Sequence, residues 1–322
     1  MMMINSTDLV PVDSYWALEL TLIIMKKWFI ACVIVPIGIV SNVVLLLITT
    51  KEEYRRSSNC TYLAALSVLD TMDLVASAIY VGLFNHGYEI DTVVIEFVGQ
   101  ISWNYVVYFS YVTAQASRLC LAAMTIDRAC AVIFPLKAKT ICTASRARKV
   151  IIVCTVIPSL WDLHFLIPTF PKTASEELFV YSFDCSLGVL IPFAIILTAN
   201  VVIIAGLKRA AGIRSSTSAK DTSAREKFLT RVLILISFAF IVTCLPYGVH
   251  ELMLFGIPEY SAKYDFRFRY WRIRFEAEHW ILMAFNYLNH ATNFFFYVLG
   301  GGKKFKKDVR DIFCISRKPD QH

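Results

Sequence analysis

The sequence predicts an all-α membrane protein, a seven-transmembrane helix bundle followed by a short amphipathic helix. Of its 322 residues, 57% are hydrophobic and 18% are charged, whereas about a quarter of the residues of a soluble domain are charged. The apolar residues form repeated blocks of about 20 or more, long enough to cross about 30 Å of hydrocarbon as helices. This composition excludes a soluble enzyme, a disulfide scaffold and a disordered chain.

Seven apolar segments, separated by polar breaks, mark the predicted spans. The fourth and the fifth are the least regular. Pro158, Asp162 and Pro168 interrupt the fourth, and the polar run 172–177 leads into the fifth. The boundaries divide the chain into an N-terminal segment (1–27), a seven-helix domain (28–299) and a C-terminal part (300–322). The predicted spans cover residues 28–50, 61–84, 98–133, 149–170, 178–207, 228–257 and 275–299.

Basic residues set the predicted orientation, because cytoplasmic loops carry an excess of Lys and Arg. The side that holds the C-terminal tail carries 23 of the 32 basic residues. We therefore expect a multi-pass plasma-membrane protein with its N-terminus outside. Asn5 begins a glycosylation sequon in that outer segment. The first span is expected to serve as an uncleaved signal anchor.

The net charge of +7 is distributed unevenly between the two sides of the membrane. The cytoplasmic side has 23 bases and 8 acids, and the outer side has 8 bases and 14 acids. A net negative outer mouth attracts cations and raises their local concentration. The basic side faces the inner leaflet, so no nucleic-acid partner is expected.

Enzymatic motifs are absent from the sequence. It contains no phosphate loop, no metal-binding H-E-x-x-H and no Gly-x-Ser-x-Gly turn. We therefore predict no enzymatic activity and no cofactor apart from a possible allosteric ion. No internal repeat is visible, which argues against a secondary transporter.

Eight of the polar residues inside the predicted spans are candidate functional residues, because ionisable groups are costly there and indicate functional sites by default. The alternative is that they only join helices by hydrogen bonds. We favour that alternative for Asp162, which lies near a helix end and beside His164, and we favour a functional role for Asp70. The eight are Asn42, Asp70, Asp73, Ser117, Arg118, Asp162, Asn289 and Asn293.

Several of these spans contain a short motif, and each span has a different one. The second span has Leu66-Ser-Val-Leu-Asp70, and the third ends Thr125-Ile-Asp-Arg-Ala129. The sixth reads Phe240-Ile-Val-Thr-Cys-Leu-Pro246, and the seventh reads Asn289-His-Ala-Thr-Asn-Phe-Phe-Phe-Tyr297. With Asn42 in the first span and Pro192 in the fifth, the chain resembles the rhodopsin-like (class A) G-protein-coupled receptors over nearly its whole length.

The resemblance implies an activation switch at the cytoplasmic end. Arg128 would move between its neighbour Asp127 and a docked G-protein helix, and Glu226 would bind Arg128 in the inactive state. The alternative for Glu226 is a solvated surface charge. The switch implied by the family comprises Asp127, Arg128, Glu226, Phe240, Cys244, Pro246, Asn293 and Tyr297.

The resemblance also implies a sodium site. Asp70, Ser117, Asn289 and Asn293 match the family positions that hold a sodium ion in the closed state, and oxygen donors suit a hard cation. Arg118 could replace this ion by pairing with Asp70 or Asp73.

Several positions depart from the family pattern. Ala129 follows Arg128 where a tyrosine is usual, and Cys244 and Thr155 stand where the sixth and fourth spans have tryptophan. Phe294 replaces the proline of the seventh span. Trp103 replaces the outer cysteine of the third span, so Cys185 has no evident disulfide partner. A receptor-like protein that no longer signals therefore stays a possible interpretation.

Residues at individual positions indicate the class of ligand. Ser110 stands where amine receptors carry aspartate, and residues 275–302 contain no lysine for a retinal Schiff base. The loop 135–149 and the seventh-span motif resemble thyrotropin-releasing-hormone-type and invertebrate FMRFamide-type neuropeptide receptors. The resemblance predicts a small, basic, amidated peptide as agonist, with Glu251 or Asp73 as counter-ion. The predicted pocket comprises Asp73, Tyr111, Gln115, Tyr247, Glu251, His279 and Tyr287, with packing between helices as the alternative role for its aromatic residues.

The C-terminal part predicts an amphipathic helix. Phe305, Val309, Ile312 and Phe313 recur at helical spacing among basic residues that can bind anionic lipid. Cys314 is a candidate for palmitoylation or a plain thiol. Kinases and arrestin are expected partners beside a heterotrimeric G protein. Serines and threonines between 215 and 223 are either kinase sites or part of a solvated linker.

Two alternative functions stay open at this point. One is an orphan or small-molecule chemoreceptor of the same fold. The other is a transporter or channel, which would need polar groups lining a continuous pathway rather than one inner cluster and one cytoplasmic switch.

Overall fold

The structure is a computed structural model that describes residues 26–83, 90–167, 174–213, 220–255, 266–300 and 303–313. Within these ranges the chain forms seven long helices and α8, and its extended pairing is limited to an isolated bridge between Ser57 and Thr143. The short helices Glu52–Arg55 and Pro135–Ile141 precede α2 and α4. The helices are α1 (π-helical Lys26–Ile34 continuing as Val35–Thr49), α2 (Ser58–Leu83), α3 (Ile90–Ile133), α4 (Ala144–Trp161), α5 (Ala174–Cys185, π-helical Ser186–Leu190 and Ile191–Ile213), α6 (Lys220–Phe255), α7 (Phe266–Gly300) and α8 (Lys303–Phe313).

The predicted all-α class is confirmed, and the seven long helices form a membrane bundle. By length and composition, four stretches of the described residues can cross a membrane: Phe29–Thr49, Ser58–Ile79, Ala144–Leu166 and Phe179–Arg209. A shorter apolar stretch, Ile234–His250, lies within α6.

All seven long helices begin earlier than the apolar pattern predicts, and three of them do so by about eight residues or more. α3 begins at Ile90 rather than 98, α6 at Lys220 rather than 228, and α7 at Phe266 rather than 275. A helix satisfies its own backbone hydrogen bonds, so it can continue into polar sequence beyond the hydrocarbon. The apolar pattern marks only the part of each helix that suits lipid.

α4 also differs from its predicted bounds of 149–170. It begins at Ala144, because the Thr143 side chain accepts a hydrogen bond from the Arg146 backbone N–H at 3.3 Å and caps the helix. It ends at Trp161, and a 3-10 turn, Asp162–Leu166, follows it. Asp162 therefore lies just beyond α4 rather than inside a regular helix.

Large apolar side chains face outward along the helices. Leu47, Val153, Phe238 and Leu299 are each more than half exposed. A soluble monomer rarely exposes contiguous apolar surface of this kind. The same surface costs nothing in a bilayer, because lipid tails are as apolar as leucine.

The main apolar cluster fills the half of the bundle that contains Arg128. It includes Ile48 of α1, Met124 of α3, Phe240 of α6 and Tyr297 of α7, all buried. We call this half the Arg128 end of the bundle.

α1 and α7 approach each other closely at Gly38. A Cβ atom at this position would lie 2.9 Å from the Ala291 Cβ of α7. The close approach lets Ser41 Oγ donate to the Ala291 carbonyl oxygen and Asn42 Nδ2 donate to the His290 carbonyl oxygen, each at 3.0 Å. These bonds hold the middle of α7 in a defined position against α1.

The helix that the sequence predicts after the seventh span is confirmed and is α8. Its apolar residues Phe305, Val309 and Ile312 pack against the main apolar cluster. Its Asp308 accepts hydrogen bonds from Tyr54 Oη at 2.7 Å and Lys51 Nζ at 2.8 Å. Contacts across the chain therefore anchor α8 on the loop after α1.

Candidate functional site

A polar cluster surrounds the Asp70 carboxylate in the middle of the bundle. Ser117 Oγ of α3 donates to Asp70 Oδ1 at 2.5 Å, and Asn293 Nδ2 of α7 donates to Asp70 Oδ2 at 2.7 Å. The sequence predicted that these three residues lie together. Asn289, the fourth predicted member, is buried but makes no hydrogen bond to Asp70 among the described residues.

His290 belongs to this cluster and was not predicted. Its Nδ1 lies 2.7 Å from Asp70 Oδ1, and its Nε2 lies 3.6 Å from Asp73 Oδ2. The ring is completely buried, so one imidazole faces two carboxylates. Two signals could have identified it: an ionisable side chain inside a span, and a position three residues before Asn293 on the same helical face.

Asp73 was predicted as a possible counter-ion for the ligand. In the structure its Oδ1 accepts a hydrogen bond from Ser110 Oγ at 3.0 Å, and its Oδ2 faces His290. The side chain is buried. Asp73 is therefore already engaged within the bundle.

Arg118 forms no ion pair within 4.0 Å of Asp70 or Asp73 in the described part of the chain. Its Nη2 instead donates to Asn286 Oδ1 of α7 at 2.9 Å. Its guanidinium also reaches the Cys244 thiol of α6, which is completely buried. Cys244 stands where the family pattern has tryptophan, and the small thiol leaves room for the guanidinium. The departure at Cys244 therefore accommodates Arg118.

A second group, the acidic cluster of Gln115, Asp162 and Asp184, lies between α3, α4 and α5. Gln115 Nε2 donates to Asp162 Oδ1 at 3.3 Å, and Trp161 Nε1 donates to Asp184 Oδ1 at 2.5 Å. His164 Nε2 lies 4.0 Å from Asp184 Oδ2. All three members of the cluster are buried.

The acidic cluster has more acceptors than donors. Asp162 Oδ2, Asp184 Oδ2 and Gln115 Oε1 accept no hydrogen bond from the residues that the structure describes. A buried acceptor without a donor costs about 1–3 kcal/mol, and more when it is charged. Asp162 joins two helices as predicted, but its second oxygen still needs a donor.

The acidic cluster lies far from the Arg128 end. α4 has 18 residues between its cap, Thr143, and Asp162, which corresponds to about 27 Å along the helix. The residue before the cap, Cys142, contacts the Asp127 backbone at the Arg128 end. The bundle therefore carries its acidic cluster and its arginine switch near opposite ends.

Other predicted pocket residues lie in two places. Tyr111 packs on Phe165, with ring centroids 4.5 Å apart, beside the acidic cluster. Tyr287 is buried in an apolar cluster of α1 and α7, and Tyr247 packs against that cluster. The aromatic side chains therefore have packing contacts in addition to any role toward a ligand.

Asp127 is held by α2 rather than by Arg128. Its Oδ2 accepts a hydrogen bond from Ser58 Oγ at 2.8 Å, and no ion pair within 4.0 Å joins it to Arg128, both residues being described. Arg128 Nε has no hydrogen-bond partner among the residues that the structure describes. The Cys142 thiol donates to the Asp127 carbonyl oxygen at 3.3 Å, and burial raises the pKa of Cys142 to about 11.

The remaining switch residues lie along α6 and α7. Phe240 and Cys244 are completely buried, and Pro246 lies inside α6, where it removes one backbone donor. The Tyr297 ring packs near Phe305 of α8, with centroids 6.1 Å apart. A movement of α7 would therefore change the packing of α8.

Five predicted residues lie outside the described side chains. Glu226 and Glu251 fall on α6 and His279 falls on α7, whereas Asn5 and Cys314 lie outside the described ranges altogether. Their roles stay predictions.

Cys185 is a thiol in the structure, consistent with the predicted lack of the usual outer disulfide. It is a buried thiol whose Sγ donates to the Gly248 carbonyl oxygen of α6 at 3.3 Å. The contact joins α5 to α6 without a covalent bond.

The sequence matches the family described as 7 transmembrane receptor (rhodopsin family) over residues 41–297. The chain belongs to this family. The match covers the described helices from α1 to α7 and confirms the resemblance drawn from the motifs. The family is a class of receptors rather than enzymes, and the chain is accordingly a multi-pass membrane protein.

Individual relatives are peptide receptors by name. The human thyrotropin-releasing hormone receptor is 33% identical over 159 residues, which are 49% of this chain and 37% of that receptor. The chicken thyrotropin-releasing hormone receptor is 35% identical over 117 residues, 36% of this chain and 28% of the receptor. The FMRFamide receptor of Drosophila melanogaster is 24% identical over 322 aligned positions, covering 87% of this chain and 52% of the receptor. The matched part of the chain thus spans about a quarter to a half of the length of these relatives.

Proposed function

We propose that this protein is a plasma-membrane receptor for a small, basic, amidated peptide and that it activates heterotrimeric G proteins. Its N-terminus would lie outside, where a glycan on Asn5 would also lie. Membership of the rhodopsin family and the named peptide receptors among its relatives support this proposal. The same membership does not favour a transporter or channel.

The observation that carries the basic ligand is the acidic cluster. Two buried carboxylate oxygens and the Gln115 amide oxygen there have no donor among the described residues. An arginine side chain offers five N–H donors and a permanent positive charge. A guanidinium at the acidic cluster would satisfy all three acceptors and neutralise the local charge. We therefore favour Asp162 and Asp184 as counter-ions over Asp73, whose Oδ1 already accepts a hydrogen bond from Ser110 and whose Oδ2 faces His290 Nε2 at 3.6 Å.

The Arg128 end supports coupling to a G protein. Arg128 lies near the end of α3, its Nε has no partner in the described part of the chain, and Asp127 is bound by Ser58. A guanidinium that keeps unused donors can bind a docked helix at little cost in broken bonds. Kinases and arrestin would bind the same face. The lysines of α8 would meet anionic lipid, and a palmitoyl group on Cys314 would strengthen that contact.

The ligand proposal is tested with a library of amidated peptides that includes FMRFamide and thyrotropin-releasing hormone. Cells that display the receptor are assayed for nucleotide exchange on G proteins. Each active arginine peptide is then compared with its citrulline analogue, which has the same shape without the charge. We expect a loss of potency of about tenfold or more, equivalent to about 1.4 kcal/mol.

Substitution of the acidic cluster gives the matching receptor-side test. Asp162→Asn should lower the potency of the arginine peptide and leave that of the citrulline analogue unchanged, whereas Asp311→Asn, an exposed acid of α8, should change neither. Equal potency of the two peptides would overturn the cationic subsite. If displayed receptor responds to no peptide, the small-molecule chemoreceptor alternative becomes the better one.

Coupling is tested separately at Arg128. Arg128→Gln should reduce agonist-dependent nucleotide exchange at least about tenfold, because it removes the charge that a G-protein helix would bind. Arg146→Gln, an exposed residue of α4, serves as the control. The proposal fails if Arg128→Gln signals normally at matched surface expression. If the wild-type receptor binds its agonist without any nucleotide exchange, the non-signalling alternative is correct.

A further inference from the structure

His290 lies where a cation held by Asp70 would have to bind. A sodium ion needs several oxygen ligands at short distances, and the carboxylate is its only anionic ligand in the set that the family resemblance implies. In the structure His290 Nδ1 lies 2.7 Å from Asp70 Oδ1 and is completely buried. An imidazole with a hydrogen on Nδ1 makes this bond.

The Asp70 carboxylate is already supplied with donors. Ser117 Oγ and His290 Nδ1 meet Oδ1, and Asn293 Nδ2 meets Oδ2. A carboxylate has about four lone-pair positions, so three donors leave little room for an ion. Asn293 also presents its nitrogen rather than its oxygen to Asp70. A sodium ion at Asp70 would therefore meet three donor groups, and these residues do not fit sodium in this arrangement.

His290 is also held in its position from outside the cluster. Asn42 Nδ2 donates to the His290 carbonyl oxygen, and Ser41 Oγ donates to the next carbonyl oxygen, that of Ala291, each at 3.0 Å. These bonds from α1 fix the α7 backbone, and Asp73 Oδ2, 3.6 Å from His290 Nε2, lies on the far side of the ring. The ring thus fills the space between two carboxylates on α2.

We propose that His290 takes the place of the allosteric sodium ion, so that a side chain joins α2 to α7 at Asp70 and the receptor does not respond to sodium. A tethered ring stays in place at every sodium concentration, whereas an ion dissociates when its concentration falls. His290 is a positioning residue in this proposal. Its effect on Asp70 does not depend on which ligand the receptor binds.

The test compares the melting temperature of the purified full-length receptor in sodium chloride and in choline chloride at equal concentration. A ligand that binds only the folded state raises the melting temperature. We expect the same value in both salts for the wild-type protein. His290→Ser removes the ring and leaves an oxygen ligand, so sodium should now raise the melting temperature by about 2–4 °C.

Two controls complete the design. His250→Ser, the same substitution at another buried histidine, on α6, should stay insensitive to sodium. Adding Asp70→Asn to His290→Ser should abolish the gained response, because it removes the anionic ligand. If His290→Ser does not fold, the smaller amide of His290→Asn replaces it, with the same expectation. Stabilisation of the wild-type receptor by sodium would overturn the proposal, and so would a His290 variant that folds without gaining a response.

No agonist and no G protein enters this experiment. Failure of the peptide-receptor proposal would therefore leave the result interpretable, and a sodium-sensitive wild-type receptor would leave the peptide proposal untouched.

Discussion

Gly38→Ala tests the close approach of α1, α2 and α7 that positions the polar cluster. The added Cβ would lie 2.5 Å from Leu74 Cδ1, 2.9 Å from Ala291 Cβ and 3.2 Å from Ala291 Cα. Leu74 can rotate away because the contact is at the end of its side chain. Ala291 cannot, because its Cβ is attached directly to the α7 backbone, so α1 and α7 must separate.

The expected cost follows from two opposing effects. Overpacking of a tight interior costs about 1–3 kcal/mol, whereas Gly→Ala inside a helix gains about 1 kcal/mol. These two effects together give a net destabilisation of about 0–2 kcal/mol. The separation also weakens the hydrogen bonds from Ser41 and Asn42 to α7, which adds to the cost.

Gly206→Ala is the matched control. A Cβ there would meet only Val132, 2.5 Å from Cγ1 and 3.8 Å from Cβ. Rotation of that one side chain relieves the contact without separating two helices, and the less favoured valine rotamer offsets part of the helix-propensity gain. The measurement is thermal unfolding of the purified receptor in detergent. Gly38→Ala should lower the melting temperature while Gly206→Ala leaves it unchanged or raises it. A Gly38→Ala receptor as stable as the wild type would refute the assigned contact.

Two further predictions concern Arg118 and α8. Cys244→Trp should destabilise the receptor by about 2–4 kcal/mol in thermal unfolding, because the indole displaces the buried guanidinium of Arg118. Cys244→Ser, whose side chain is similar in size to that of cysteine, should cost much less. Equal destabilisation by the two substitutions would contradict the contact between Cys244 and Arg118. Asp308→Asn removes the ion pair with Lys51 and weakens the hydrogen bond to Tyr54. The ion pair itself contributes little to stability, because the Lys51 side chain is partly exposed to solvent. Amides of α8 should then exchange about fivefold faster in hydrogen-exchange measurements, corresponding to about 1 kcal/mol, and unchanged protection would contradict the anchoring role.

The sequence predicted the class of fold because hydropathy is a property of consecutive residues. Seven apolar blocks, the basic side and the amphipathic spacing of Phe305, Val309 and Ile312 are all local patterns. They were enough to predict a seven-helix bundle with α8. They placed the starts of α3, α6 and α7 too late, because a helix continues into polar sequence that no apolar pattern marks.

The candidate site was predicted in part. The grouping of Asp70, Ser117 and Asn293 came from motifs that the family shares, and the structure joins these residues by hydrogen bonds. The partner of Arg118 was left open between two aspartates and is neither, since the guanidinium reaches Asn286 and Cys244. The departure at Cys244 was visible in the sequence, but its contact with Arg118 was not.

The sequence by itself determined which segments lie in the membrane, which residues are costly to bury there, and which family supplies the fold. Only the tertiary structure decided the partners of those residues. His290 and Asp70 are 220 positions apart, and Arg118 and Asn286 are 168 apart. Such pairings depend on the rotation and spacing of packed helices, which set distances to within about an ångström, and no local pattern in the chain specifies those two quantities.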